Sequence, residues 1–362
     1  MCFKKKILFV IPSDTMGGAE QLQVSLAEEF YKCDYKIEIL FLLKKQIDIN
    51  INAEIKYLNA KNIILGLLKL TMYDFSNEYH MVLSSQTLIN SILGILKNLN
   101  KVKCTYLIVR ESTDVFNRFK GLKLWCYTLA YKTGYGYANL IICQTNKMKE
   151  NLVANIKSFS NLNIQVISNP INLEKIKIKE AEPFIDDILV NKKFIVSAGR
   201  LIDVKGFDIL IKAFAKFSKK YSDYYLIILG DGPLLEELKK EAIKNKIEDK
   251  VLFKGFVNNP YPYFKQAKIC VVSSRKEGFP NVLLQMMSQN GAVISTVCAG
   301  DIINIPQILV CNPNEIDGLF EKMIEITNQN EETLKNNLFA HFSFLKNRTF
   351  SNYISSIFEA LK

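Results

Sequence analysis

Histidine and tryptophan are almost missing from this sequence, which holds two of the former, His80 and His341, and one of the latter, Trp125. Two histidines leave little material for a Ser-His-Asp site or a histidine-rich metal centre. His80 follows Tyr79 at the start of an apolar run and reads as structural. No Asp-x-Asp doublet stands beside a strand end, so a carboxylate-held divalent ion has no evident home, and no metal or cofactor is expected. The eight cysteines, Cys2 to Cys311, are scattered without a C-x-x-C pair or a metal-ligand spacing. Free thiols in a reducing, cytoplasmic compartment are the expectation. Long hydrophobic runs are absent as well. No stretch reaches the roughly 18 apolar residues of a spanning helix. The run from Ile7 to Pro12, behind a basic opening, is too short for a signal core. A soluble or peripherally attached protein is expected.

What the sequence does have is apolar bulk, since 49% of its 362 residues are hydrophobic, more than one compact core absorbs. Two domains follow. The net charge of +11 is uneven: residues 1–180 carry 24 Lys and Arg against 15 Asp and Glu, the remainder 23 against 21. A positive field over the front half suits an anionic membrane surface, a phosphorylated ligand or a nucleic acid, or is simply a set of solvated lysines.

Short apolar runs alternate with helix-length segments, the rhythm of βαβ units around parallel sheets. The first series includes "KIEILFL" (36–42), "MVLSSQ" (81–86), "CTYLIVR" (104–110), "LIICQT" (140–145) and "IQVISNP" (164–170). The charged stretch "EKIKIKEAEPFIDD" (174–187) interrupts it and reads as a linker. A second series runs through "KKFIVSAGR" (192–200), "YYLIILGDG" (224–232), "KVLFKGF" (250–256), "ICVVSSR" (269–275) and "AVISTV" (292–297). Between its first two members, Phe207, Leu210, Ile211, Phe214 and Phe217 share one helical face. The expected fold class is α/β, with two doubly wound, Rossmann-like parallel-sheet domains over 1–173 and 174–349. The closing segment, 350–362, is a helix that can pack back on the first domain.

Three glycine turns stand where a strand passes to a helix. Gly17-Gly18 precede a helix beginning near Ala19 and Glu20, and such an end offers unpaired N–H groups to a phosphate or an acceptor. The spacing is not G-x-G-x-x-G, so the dinucleotide fingerprint is not met. In "SAGRLIDVKGFD", Arg200 leaves a strand end and Lys205 follows just before Gly206. A guanidinium fork and a mobile ammonium at the carboxyl edge of a parallel strand can clamp a diphosphate. In "EGFPNVLLQMM", Glu277 stands on a turn, Asn281 is a candidate N-cap, and Gln285 lies one helical turn further on the same face. A carboxylate and an amide so placed can each bind vicinal hydroxyls of a sugar or a ribose.

At these residues the sequence resembles the retaining glycosyltransferases of glycosyltransferase family 4, which have the GT-B fold. The likeness runs from "GGAE" through "ISNPIN", "GRLIDVKGFDILIKAF", "ILGDGPLLEELKK" and "FKGFV" to "SRKEGFPNVLLQMM". It implies two Rossmann-like domains facing across a cleft, with a nucleotide-sugar, UDP-sugar first among candidates, held mainly by the second. Arg200 and Lys205 would hold the donor diphosphate. Glu277, the first acid of the family's Glu-x7-Glu motif, would bind donor-sugar hydroxyls. Phe279, Asn281 and Val282 would line the sugar and phosphate, and Gly255, Phe256 and Val257 would flank the base. Gly17 and Gly18 are further donor-side candidates.

The sequence departs from that pattern in three places. Gln285 replaces the second acid, which grips the ribose hydroxyls; an amide still accepts and donates, but loses the charge-assisted part of the bond. Where many members place a histidine after the fourth strand, this chain has Arg110-Glu111, candidates for donor or acceptor contact and for orienting the acceptor hydroxyl. "VCAGDIINI" stands where relatives often show Gly-x-x-Glu-Ile, and Asp301 there would oppose a phosphate.

The implied reaction is retaining transfer of a hexose or N-acetylhexosamine to a glycan or undecaprenyl-linked acceptor in surface-polysaccharide assembly, without a metal. The basic stretch 117–137, with Trp125 and several tyrosines, suits a peripheral contact with the inner face of the cytoplasmic membrane. A nucleotide-sugar epimerase and a non-catalytic sugar-nucleotide binder are the alternatives. A nucleic-acid partner is not expected, because the basic residues come with no recognition module.

Overall fold

The computed structural model describes residues 5–15, 17–45, 51–184, 189 and 191–362. Cys2 and residues 185–187 of the charged stretch lie outside the described residues. The chain divides into two compact units, one of residues 1–170 with 350–362, the other of residues 171–349.

The first unit carries strands β1 (Lys6–Ser13), β2 (Lys36–Leu43), β3 (Glu54–Tyr57), β4 (Glu78–Ser84), β5 (Lys103–Arg110), β6 (Leu140–Cys143) and β7 (Ile164–Val166). They form one parallel sheet in the order β3-β2-β1-β4-β5-β6-β7. Its helices are α1 (Gly18–Lys32), α2 (Ile63–Met72), α3 (Thr87–Asn98), α4 (Val115–Arg118), α5 (Gly121–Gly134) and α6 (Asn146–Asn155). Side chains alternate across each strand, so Leu8 and Val10 enter one core while Ile7, Phe9 and Ile11 enter the other. Helices cover both faces, which is why these strands read as unbroken apolar runs.

The second unit opens with α7 (Leu173–Glu180). Its strands are β8 (Lys193–Ala198), β9 (Tyr224–Leu229), β10 (Val251–Phe253), β11 (Ile269–Val272), β12 (Val293–Thr296) and β13 (Leu309–Cys311), in the order β10-β9-β8-β11-β12-β13. Around them lie α8 (Phe207–Lys220), α9 (Leu235–Lys244), α10 (Tyr261–Gln266), α11 (Asn281–Met287), α12 (Ile316–Thr327) and α13 (Glu331–Leu345). The five apolar residues of α8 named from their spacing are all buried, in a core shared with Leu226, Ile228 and Leu319. The last helix, α14 (Phe350–Ala360), belongs to the first unit, where Phe350, Tyr353, Ile354 and Ile357 share a core with Phe9 and Phe30.

Two expectations are corrected. The segment 174–187 is not a plain linker. Its first part is helical, capped by Asn172 Oδ1 on the Lys175 N–H at 2.8 Å and anchored by buried Ile176. Asn281 is not the cap of α11 but its first residue, with Pro280 at the cap position. Two strands escape the sequence reading: β3 and β13 are edge strands, β3 of four residues with mixed polarity and β13 of only three residues. Among the described residues, no helix is long and apolar enough to cross a membrane.

Candidate active site

In the second unit the strand order reverses between β8 and β11, since β9 and β10 extend to one side and β12 and β13 to the other. The carboxyl ends of strands flanking such a switch point splay apart, and ligands of open α/β sheets bind there. Arg200 and Lys205 follow β8; Glu277 follows β11.

The two ends are stitched together by hydrogen bonds from the β11 side. The Arg275 N–H donates to Val204 O at 2.7 Å, Arg275 Nη1 to Asp203 O at 2.5 Å, and Ser273 Oγ to Lys205 O at 3.0 Å. Arg275 Nη2 also donates to Asp208 Oδ2 on α8 at 2.8 Å. Burial alone would raise the Asp208 carboxyl, but the bond and charge of Arg275 outweigh it and hold Asp208 below its usual range. Gly206 makes the close approach possible. Its φ is +63°, and a Cβ there would stand 2.2 Å from Ser273 O.

The consequence is an ion pair across the switch point. Lys205 Nζ lies 2.5 Å from Glu277 Oε1, with both side chains about four-fifths buried. Ser274 Oγ donates to the same carboxylate oxygen at 2.9 Å, and the Glu277 N–H donates to Cys298 O at 2.8 Å. Arg200 is exposed and enters no ion pair among the described residues. The site thus holds a cation and a carboxylate that mask one another, beside a second cation that is free.

The neighbouring loops add a backbone frame. Gly230 has a φ of +132°, and a Cβ there would lie 2.0 Å from Gly199 O, so the turn after β9 rests directly on the turn after β8. The Gly230 N–H donates to Gly255 O at 2.6 Å, and the Phe256 N–H to Asp231 Oδ2 at 2.7 Å. Phe256 itself is exposed, while Val257 is half-buried. In α11, Leu283, Leu284, Met286 and Met287 are buried, which leaves Asn281, Val282 and Gln285 half-buried on the other side. The Gln285 amide hydrogen-bonds with the Tyr261 hydroxyl, which burial pushes up to about 12 against that bond. Phe279 is buried under the guanidinium of Arg348, 5.6 Å from ring centre to Cζ. Asp301 acts electrostatically on Arg348, so its charge does not stand alone.

The first unit has its own switch point, between β1 and β4. A cavity of about 300 Å³ opens there, lined by Glu20, Gln86, Thr87, Ser112, Lys123 and Tyr127 among others. Gly17 and Gly18 stand at the amino end of α1 beside it, with Glu20 Oε2 2.6 Å from where a Cβ of Gly17 would be.

Arg110 and Glu111 do not face this cavity as exposed groups; both are buried. Glu111 Oε2 accepts from Tyr131 Oη at 2.6 Å and Thr87 Oγ1 at 3.2 Å, and Oε1 accepts from Asn90 Nδ2 at 3.3 Å and from Tyr135 Oη. Burial raises its pKa against these bonds. Arg110 Nη2 donates to Asn169 Oδ1 at 2.6 Å, whereas Nε and Nη1 have no hydrogen-bond partner among the described residues. The Tyr353 hydroxyl lies near enough to act on the guanidinium electrostatically, without good alignment for a bond. Burial lowers the Arg110 pKa. Sequence reasoning missed Thr87, Asn90, Tyr131 and Tyr135, although a lone Asn inside the apolar "TLINSIL" run was a visible signal. It also missed Ser274 and Arg275, polar residues closing an apolar strand. Among the described residues no cluster of three His, Cys, Asp or Glu is placed to hold a metal ion.

Residues 178–337, which include Arg200, Lys205, Glu277 and Gln285, match the family model described as glycosyl transferases group 1. Over this stretch the chain is similar to the group 1 glycosyl transferases. It is 31% identical over 214 residues to an uncharacterized glycosyltransferase of Methanocaldococcus jannaschii, an alignment covering 58% of this chain and 51% of that one. It is also 31% identical over 263 residues to a Campylobacter jejuni protein, covering 72% of this chain and 62% of the other. That relative is named N-acetylgalactosamine-N,N'-diacetylbacillosaminyl-diphospho-undecaprenol 4-alpha-N-acetylgalactosaminyltransferase. The chain therefore spans between half and two thirds of the length of these two relatives. Among solved structures, Anabaena HepE in complex with UDP and glucose superposes with a TM-score of 0.77 at 16% identity over 99% of both chains. The chain has the GT-B fold of two Rossmann-like units.

Proposed function

We propose that the chain is a retaining glycosyltransferase that moves a hexose or N-acetylhexosamine from a nucleotide-sugar, a UDP-sugar first, to a glycan or lipid-linked acceptor in surface-polysaccharide assembly. The observation that carries the reading is the Lys205–Glu277 pair at the switch point of the second unit, beside the free guanidinium of Arg200. A glycosyl diphosphate offers both halves of what this pair lacks. Its phosphates supply anions for Lys205 and Arg200, and its sugar supplies hydroxyl donors for Glu277. Binding then exchanges one ion pair for two matched contacts, with Ser274 keeping Glu277 in place.

Transfer with retention needs the leaving diphosphate stabilised as the glycosidic bond breaks. Preorganised cations that bind the diphosphate interact more strongly as further negative charge develops on it, and that difference accelerates the step. Arg200 and Lys205 have that role in this reading, and no step is routed through a metal. The acceptor class draws support from the Campylobacter relative, whose name places its acceptor on diphospho-undecaprenol. The donor class draws support from the HepE structure, which holds UDP and glucose. A lipid-linked acceptor implies peripheral contact with the inner face of the cytoplasmic membrane.

The test is a melting-temperature panel of UDP-, GDP- and ADP-sugars, because a ligand that binds only the folded state raises stability according to its concentration over Kd. A rise with one nucleotide class, lost in Arg200→Ala, is the expected result. No rise with any of them overturns the reading. A second reading, a sugar-nucleotide binder without transfer, is favoured by Gln285, whose amide is engaged with Tyr261. It predicts binding in the same panel but no glycosyl transfer to any lipid-linked acceptor.

A further inference from the structure

The exposed large hydrophobic residues are not scattered. Of sixteen among the described residues, eight lie on or at the ends of α2, α3 and α5 in the first unit. In α2, Ile64, Leu68 and Met72 recur every four residues on the outer side, and Met72 is 84% exposed. In α5, Leu122, Trp125 and Leu129 recur at i, i+3 and i+7, with Leu122 77% and Trp125 61% exposed. These spacings place each set along one helical face. The inner faces of the same helices hold Leu70, Leu93 and Tyr131 in the core, so the outer sets are not mispacked core.

The three helices form one layer. α3 packs on both α2 and α5, and its contact with α5 is backbone-close, since a Cβ at Gly94 would stand 2.0 Å from Gly134 O. The apolar sets therefore sit on a common, rigid support. The charges on these helices have one sign, although Asp74 stands exposed just past α2. α2, α3 and α5 contain no Asp or Glu, while Lys61, Lys120, Lys123 and Lys132 are exposed and enter no ion pair among the described residues. An isolated apolar residue on a surface needs no explanation; two sets on one layer, flanked by cations that enter no ion pair, do.

We infer that the outer face of the α2–α3–α5 layer docks on an anionic lipid bilayer. Apolar side chains of this kind enter the headgroup and acyl boundary, and surrounding lysines are held by anionic headgroups. Charge decides against the other simple occupant, a second copy of the chain, because a self-paired interface would bring these cations against one another. The inference deepens the lipid-linked acceptor reading and takes its biological sense from it. Its test measures partitioning and not turnover, so either can fail while the other stands.

Trp125 is the only tryptophan in the chain, so its fluorescence reports this face alone. The full chain is titrated with vesicles of phosphatidylcholine, with and without phosphatidylglycerol, some carrying bromine-labelled acyl chains. A blue shift and bromine quenching with the anionic vesicles are expected, with at least tenfold weaker partitioning in pure phosphatidylcholine. Lys120→Glu with Lys132→Glu should weaken anionic-vesicle binding by about tenfold or more, since each surface charge contributes several-fold. Met72→Asp, with Trp125 left in place, should weaken it as well. Because these positions are exposed, circular dichroism and melting should stay unchanged. No shift with any vesicle overturns the inference, as does binding that is indifferent to anionic lipid or to these substitutions. A lipid-independent blue shift that grows with protein concentration, together with a dimer in solution, also overturns it in favour of self-association.

Discussion

Lys205 and Glu277, 72 positions apart in the sequence, meet through a 2.5 Å contact between Nζ and Oε1. In the proposed reading each competes with substrate for the other. Glu277→Gln releases the ammonium from its carboxylate partner while keeping the shape of the side chain. UDP binding by that variant should be undiminished or tighter by calorimetry. Transfer from a UDP-sugar should fall, because a charge-assisted bond to sugar hydroxyls is lost, at about 1.5–3 kcal/mol or tenfold and more in rate. Lys205→Ala and Arg200→Ala should each lower kcat/KM by about 3 kcal/mol of transition-state binding, the scale of one preorganised donor. Unimpaired transfer by Glu277→Gln would sink the assignment.

Arg275 is the residue on which that contact depends, through its bonds to Asp203 O and Asp208. Arg275→Ala should cost about 2 kcal/mol of stability in urea unfolding, the range of hydrogen bonds to charged groups. It should also raise the KM for donor more than it lowers kcat, since Lys205 loses its support. The pH dependence has a definite sign. Asp208 titrates below its usual value of 3.8 in the folded chain, so the stability it confers is present above about pH 4 and lost as pH falls through the lowered value. The variant should therefore lose less stability than the parent between pH 6 and pH 3. Parallel curves would show that Asp208 is not held by Arg275.

The α/β rhythm was legible because both sheets are covered on two faces, which forces buried strands to be apolar throughout. The amphipathic stripe of α8 was legible for the converse reason: a helix lying on a sheet buries one face only. The edge strands were not: β3, with one neighbour and partial exposure, alternates polar and apolar residues, and β13 is only three residues long. Of the site, Arg200, Lys205, Glu277 and Gln285 could be named from glycine turns, charge and helical spacing. Their arrangement could not, because no local pattern says that Lys205 reaches Glu277 instead of solvent. Arg110 and Glu111 show the opposite limit. The sequence offered them for donor or acceptor contact, and no local pattern shows that both are buried, with Glu111 held by Tyr131 and Tyr135.

Gln285 tests how far a single amide can stand in for a carboxylate. Gln285→Glu should strengthen nucleotide-sugar binding by a few-fold, because a charged acceptor makes a hydroxyl hydrogen bond roughly twice as strong. The half-buried position tolerates a charge, and the Tyr261 hydroxyl can donate to it. The effect should appear with UDP-glucose and with UDP, but not with a glycosyl phosphate that lacks the ribose. A gain for all three alike, or none at all, would place Gln285 away from the ribose.

Glu111 allows a prediction that needs no ligand. Burial raises its pKa above the usual 4.5, against hydrogen bonds from Tyr131, Tyr135, Thr87 and Asn90. An acid whose folded pKa is raised stabilises the fold fully below its unfolded value and loses that contribution as pH climbs through the folded value. Glu111→Gln cannot ionise and so lacks this loss, whatever constant offset the exchange of an oxygen for an NH₂ among four donors introduces. Urea midpoints measured at pH 5 and pH 8 should therefore fall further in the parent than in the variant. The comparison of slopes isolates the ionisation from the hydrogen bonding, because the bonds lost on substitution are absent at both pH values. Identical slopes would mean that the Tyr131 and Tyr135 hydroxyls hold the carboxylate ionised as readily inside the fold as water does outside it.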